Sequence, residues 1–264
     1  MIRRALALVF SLAVAFCLEA SAQTVDDIIK KNIEAHGGLQ KIKAVKSVKV
    51  TGKVLPSNIG QDIPIVIQQK RPNLVREDVT FQGKTQTRAY DGTTGWKLDP
   101  FQGSASPEPE KIAGEELKDI QEQSDMDGPM VDYKEKGNTV ELIGKEDLEG
   151  TPVYKIKLTL KNGDVRYIYI DAENYLELKT TSKRQTPGGE VELDNYMSNY
   201  KSVNGVLIAH SIENKVKGQT VSQITFDKVE IDVPIDDSIF KMPVKPEEKP
   251  KTEDKPKDKP PSKL

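Results

Sequence analysis

Few residues in this chain have the types and spacing for bond-making chemistry. His36 and His210 are its only imidazoles. One follows an expected helix end beside Gly37 and Gly38 and the other falls in an expected strand, so a histidine-based triad or a zinc site has little material. Both are read as structural or exposed side chains. There is no GxxxxGK[ST] loop to cradle a phosphate and no GxGxxG after a strand. Asp232, Asp236 and Asp237 lack the dense DxDxDG spacing of a calcium loop and mark a surface turn instead. Any two carboxylates could meet in a fold, but nothing in the pattern points to a glycosidase pair. The expectation is a protein that is not an enzyme and has no metal or cofactor. One run stands out for recognition rather than catalysis. QKRPNLVRE, residues 69–77, sets Arg71 and Pro72 between an isoleucine-rich segment and a second extended one. A guanidinium offers five donors in a fixed fork and can satisfy several loop or helix-end carbonyls at once, while Pro72 stiffens the chain beside it. The plainer alternative is a solvated cation at a strand end.

The segments around that run bound what it can serve. Residues 1–22 carry Arg3 and Arg4, an apolar run from Ala5 to Leu18 and the small-x-small pattern Ala20-Ser21-Ala22, the anatomy of a cleaved secretory signal. Cys17 follows Phe16 rather than a small residue, which argues against a lipid anchor. It is also the only cysteine, so cleavage would remove every thiol. The apolar run is short for a membrane span, and no later segment approaches the roughly 20 apolar residues needed. A soluble location outside the cytoplasm, the periplasm, is expected. Residues 244–264, rich in lysine, proline and acids, cannot offset the entropy of ordering and are read as a disordered, solvating tail. Removing the signal (two arginines and Glu19) and the tail (seven lysines, five acids) leaves 30 cations against 35 anions over residues 23–243, a net charge of −5. That balance argues against a nucleic-acid partner.

Hydrophobic periodicity then gives one domain, residues 23–243. Thr24 with Asp27, followed by Val25, Ile28, Ile29 and Ile33, predicts a capped helix that stops at Gly37 and Gly38. A short second turn through Leu39, Ile42 and Val45 follows. From Ser47 the period becomes two, in Val48, Val50, Gly52 and Val54 and again in Ile63, Ile65 and Ile67. Further strands are expected at 74–81, 85–91, 96–98, 140–143, 153–160, 165–170, 176–181, 191–200, 207–216 and 221–231, with hairpin turns at Asn162-Gly163 and Asn204-Gly205. Between them, residues 101–130 hold an amphipathic stretch, EKIAGEELKDIQEQ, whose Ile112, Leu117 and Ile120 share a face. The fold class is mainly β with a few helices: about ten or eleven antiparallel strands in one strongly curved sheet or barrel. So few helices leave part of the apolar face without cover. Its inward candidates are Ile63, Ile65, Ile67, Leu74, Val79, Phe81, Trp96 and Leu98, joined by Ile112, Leu117 and Ile120 from the helical insertion. Such a wall suits a lipid tail, and a chain of about 16 carbons would gain on the order of 10 kcal/mol there. Simple packing against the helices is the competing reading.

Arg71-Pro72-Asn73-Leu74, then Asp91-Gly92, Trp96 and Pro100, and the closing Phe240-x-x-Pro243 resemble the LolA family of periplasmic lipoprotein carriers and its lipoprotein-sorting relatives, over roughly residues 24–243. The stretch EAHGGLQKIKAVKSVKVTGKV looks like a distinct branch, and the lysine-proline tail has no counterpart. The resemblance implies a half-open β-barrel covered by a helical lid, with a cavity that shields acyl chains. It implies a gate in which Arg71, beside Pro72, hydrogen-bonds the lid helices. Implied partners are lipoprotein acyl chains or another lipid, an inner-membrane exporter and an outer-membrane acceptor, with the carrier monomeric. A second function is kept beside this one, an envelope sensor that detects lipidated ligands through a protein partner, and a weaker third, a lipid-modifying enzyme.

Overall fold

The computed structural model describes residues 23–101, 107–186 and 188–244; the expected signal, residues 1–22, and the tail from residue 245 lie outside them. The first element, α1 (Val25–Ala35), opens on a full capping box. Thr24 accepts from the Asp27 amide at 3.2 Å, and its own amide donates to the Asp27 carboxylate at 3.1 Å. Ile28, Ile29 and Asn32 form its buried face. His36 caps the helix, and the chain turns through Gly37 at φ 112°, where an added Cβ would stand 2.2 Å from the Gly205 carbonyl oxygen. Only glycine meets both demands, and that corner launches α2 (Leu39–Ala44).

The strands are β1 (Ser47–Pro56), β2 (Ile63–Lys70), β3 (Leu74–Phe81), β4 (Lys84–Tyr90), β5 (Gly95–Leu98), β6 (Glu110–Lys111), β7 (Thr139–Leu148), β8 (Thr151–Thr159), β9 (Val165–Asp171), β10 (Glu177–Thr186), β11 (Gly189–Val203), β12 (Val206–Val216) and β13 (Gln219–Ile231), with α3 (Gly114–Gln123) after β6. All thirteen join one sheet in the order β6-β5-β4-β3-β2-β1-β13-β12-β11-β10-β9-β8-β7. The pairings are antiparallel. Every neighbour is a hairpin partner except β1 and β13, which bring the two halves of the chain side by side. The end strands β6 and β7 do not pair with each other, so the barrel is half-open. The count exceeds the ten or eleven expected partly because β6 is two polar residues with no alternation to announce it. Its pairing with β5 also holds Glu110 and Lys111 out of the expected amphipathic helix, which starts at Gly114.

Two apolar clusters hold the helices to the sheet. Ile28 and Ile29 of α1 pack with Tyr154, Ile156, Leu158, Ile168 and Ile170 of β8 and β9 and with Met130. Ile120 of α3 and Ile112 pack with Val75 and Tyr90 of β3 and β4, flanked by Ile67 and Leu117. Gly95 makes room for this second contact, since a Cβ there would reach within 2.7 Å of both Ile112 and Leu117. On the opposite face the 3-10 turn Asp237–Phe240 straps β3 to β5. Trp96 Nε1 donates to the Phe240 carbonyl at 2.7 Å and Arg76 to that of Ile239 at 2.9 Å.

Candidate functional site

Between the concave face and the helices lies a cavity of about 670 Å³, within the size range of ligand pockets. At about 30 Å³ for each water-sized group, it has room for on the order of twenty methylenes. Strand register builds its floor. Val50 stands opposite Ile67 of β2 and Val229 of β13, and Met197, Ile212 and Ile224 form a row across β11, β12 and β13. All six line the space, with Phe226 and Ile208. The roof is Ile33 and His36 of α1, Ile42 of α2 and the turn from Met126 to Val131.

The structure distributes the expected lining residues over three places. Ile65 and Ile67 face the cavity. Ile63 is buried on the same face of β2, and Val79 lies opposite Ile65, with Phe81 two residues beyond it near Phe101, the ring centroids 6.1 Å apart. Ile112, Leu117 and Ile120 belong to the cluster under α3. Leu74, Trp96 and Leu98 are on the other face of the sheet, because Trp96 pairs with Ala89 and Leu98 with Thr87 while Tyr90 and Val75 carry the inner row. Alternation contains that distinction: Leu74 and Val79 are five residues apart in one strand and point to opposite sides. The floor from β11 to β13 was not singled out, since period-two patterns show which residues share a face but not which face curves inward.

Arg71 follows the last residue of β2 and does not itself line the cavity, though its partners Ile42, Val45 and Asp127 do; its peptide to Pro72 is cis. Its Nε donates to the Val45 carbonyl at 2.7 Å and one terminal nitrogen to that of Ile42 at 3.0 Å, while the fork also grips the Asp127 carboxylate. One guanidinium therefore ties the C-terminal end of α2 to the turn that follows α3. The Asp127 contact raises the Arg71 pKa further, so the charge is permanent. Helix α3 is held from both limbs of the half-barrel. Glu116 meets Lys97 of β5 at 3.1 Å and Arg88 of β4 at 3.6 Å, whereas Asp119 pairs with Arg184 of β10 and Glu122 with Arg166 of β9. The helix thus crosses the open side.

Four polar groups of the wall, His36, Tyr200, Glu177 and Glu77, belong to no motif. His36 Nδ1 lies 2.8 Å from the Leu207 carbonyl, its ring stands edge-on to Tyr200, and its Nε2 is buried with no partner. The Tyr200 hydroxyl donates to the Glu177 backbone carbonyl at 2.7 Å. Burial pushes the Glu177 carboxyl up, offset only in part by His36, and pushes the Tyr200 phenol up as well. Glu77, also on the wall, is raised by burial despite Arg88 at 3.8 Å. His210 is buried with Nδ1 2.9 Å from the Ile208 carbonyl. Asp236 caps the 3-10 turn through the Ser238 amide at 2.8 Å. Among the described residues no group of histidines and acids could hold a metal ion, and no helix is long and apolar enough to cross a membrane.

This arrangement, a half-open antiparallel barrel with helices across its opening and an apolar space beneath them, is a LolA-like fold. A family model described as an uncharacterized protein matches residues 105–243, more than half of the chain, and the chain belongs to that family. No curated protein matches it in sequence. Among solved structures it is similar to a DUF1329 family protein from Desulfovibrio piger, at 12% identity and a TM-score of 0.57, covering 83% of this chain and 98% of that one. It is similar to a LolA superfamily protein from Nitrosomonas europaea, at 13% identity and 0.54, covering 83% and 97%. A third is an outer membrane lipoprotein-sorting protein domain from Vibrio parahaemolyticus, at 12% identity and 0.51, covering 80% and 97%. At these identities the likeness is one of fold.

Proposed function

We propose that this protein is a soluble carrier of the cell envelope that holds an acyl chain of a lipoprotein or another lipid in its cavity and carries it toward the outer membrane. The observation that carries the reading is the cavity of about 670 Å³ with an aliphatic floor, roofed in part by the end of α2 and the turn at Asp127, which a single guanidinium ties together. Burying methylenes in such a space is favourable by about 0.8 kcal/mol each, enough to retain one tail without any covalent step. The likeness to a lipoprotein-sorting domain supports this choice of ligand. In this reading Arg71 is the latch: it satisfies helix-end carbonyls while the cavity is empty, and admission of a tail separates α2 and the turn at Asp127 from it. A cleaved signal at residues 1–22, a periplasmic location, a monomeric state, and an exporter and an acceptor at the two membranes belong to the same proposal. Native mass spectrometry of the protein purified from its own envelope tests it. A co-purifying lipid or lipopeptide of one or two acyl chains is the expected result, and a protein that is empty and does not load with lipid in vitro overturns it.

A further inference from the structure

Helix α3 is fastened to the two limbs of the half-barrel by different means. On the near limb Ile120 packs with Val75 and Tyr90. To the far limb it presents two acids, Asp119 to Arg184 of β10 and Glu122 to Arg166 of β9. Ser182 stands opposite Arg166, and Arg184 is two residues further on, so the two arginines are diagonal neighbours on one face, rooted roughly 7–8 Å apart. Neither is sealed in: the Arg166 and Arg184 side chains keep 20% and 32% of their surface exposed. Arg166 also lines the cavity beside Ile168, and among the described residues it is the only lysine or arginine that does. The aliphatic space therefore ends at a guanidinium whose counter-ion is carried by the helix across the opening. The acids of the wall do not cancel it. Glu77 faces Arg88 at 3.8 Å, and Glu177 stands opposite Ile170, four residues along β9 from Arg166, roughly 13 Å at strand spacing.

We propose that Arg166 and Arg184 form a head-group site: they bind the phosphate of an anionic lipid whose acyl chain fills the cavity, and Glu122 and Asp119 occupy that site in the closed state. The proposal rests on the carrier reading and adds the class of lipid carried. Loading exchanges two carboxylates for one phosphate. Guanidinium forks take phosphate oxygens in pairs, and two forks from adjacent strands suit a group with several free oxygens. An uncharged head would leave two partly desolvated cations without a counter-ion once α3 has moved, which is costly. Asp127, gripped by Arg71, follows the end of α3 by four residues, so release of that contact and of the two acids is one movement.

The test is competition against a fluorescent acyl probe by two lipids that differ only in the phosphate, 1-palmitoylglycerol 3-phosphate and 1-monopalmitoylglycerol, with glycerol 3-phosphate as the head alone. The expected result is at least about tenfold tighter binding of the phosphate lipid, the yield of charge-assisted hydrogen bonds, and no displacement by the head alone at the same concentrations. Arg166→Leu with Arg184→Leu, checked for folding by thermal melts, should bring the ratio of the two lipids to near unity. Asp119→Asn with Glu122→Gln removes the competing charge and should widen the ratio, whereas a merely structural loss would move both lipids alike. Equal binding of the two lipids by the wild-type protein overturns the head-group site and leaves the carrier intact. An unchanged ratio in the arginine variant overturns the assignment to these residues. Displacement by glycerol 3-phosphate alone assigns the site to free anions and overturns the lipid head. Failure of the probe and both lipids to bind removes the carrier reading and the site with it.

Discussion

At the level of single residues, Arg71 fastens the roof of the cavity and Glu177 sets an acid in its wall. Arg71 lowers the energy of the closed arrangement: its contacts with Ile42, Val45 and Asp127 exist only while α2 and the following turn stay together. A ligand that parts them must break these bonds, so its apparent affinity is reduced by their worth. Arg71→Leu should then hold an acyl probe about tenfold more tightly and release it more slowly, read by probe displacement. Lysine should not restore the wild-type value, because one ammonium cannot reproduce the fork. Unchanged release removes the latch. Glu177 is an acid whose folded pKa lies above its unfolded one through burial. The folded state binds the proton more readily, so the acid's stabilising contribution is complete below its unfolded pKa and is lost as pH rises through the folded one. Thermal melts between about pH 8 and about pH 5 should show the wild type gaining stability on acidification relative to Glu177→Gln. Parallel curves would mean that the carboxyl is not desolvated.

Among the elements, α3 does the bridging. Its apolar side is fixed to β3 and β4 through Ile120, Val75 and Tyr90, and its acids reach Arg166 and Arg184 on the far limb. Those ion pairs are partly buried, so reversing their sign costs more than at an exposed site. Asp119→Lys together with Glu122→Lys should free that side by about 1–3 kcal/mol, seen as faster amide exchange in α3 with the strands still protected. If α3 exchanges no faster, its far-side pairs do not hold the lid. Much of this level was legible beforehand. The Thr24 cap, the hairpin turns and the isoleucines of β2 follow from local rules, and Arg71 stood out by its neighbours. Less visible were the features made by long-range pairing: the two polar residues of β6, the partner of Arg71 at Asp127, and the bulges at Gly52, Lys179 and Lys215, which shift the alternation between faces. Glu177 precedes one of those shifts, in a segment whose alternation alone would not assign it to the cavity.

For the whole molecule, the decisive property is that the sheet curves around more volume than its own side chains fill. Apolar clusters lie under α1 and under α3, and the centre of the sheet, β11 to β13 with β1, is the part that neither helix covers closely. A compact core would have closed over that centre, so stability and capacity compete for the same residues. Ile212 and Ile224 face each other across β12 and β13 in the middle of the floor, and enlarging them tests that competition directly. In a filled core, two added rings would overpack it and cost about 1–3 kcal/mol each. Over an open cavity the rings find space, and the apolar surface they cover offsets the added bulk. Ile212→Phe combined with Ile224→Phe should therefore leave the melting temperature unchanged or raised while weakening acyl-probe binding at least about tenfold. A variant that melts normally and binds the probe as tightly as the wild type would place the ligand elsewhere, and one that unfolds would show that the space is already occupied by the protein itself.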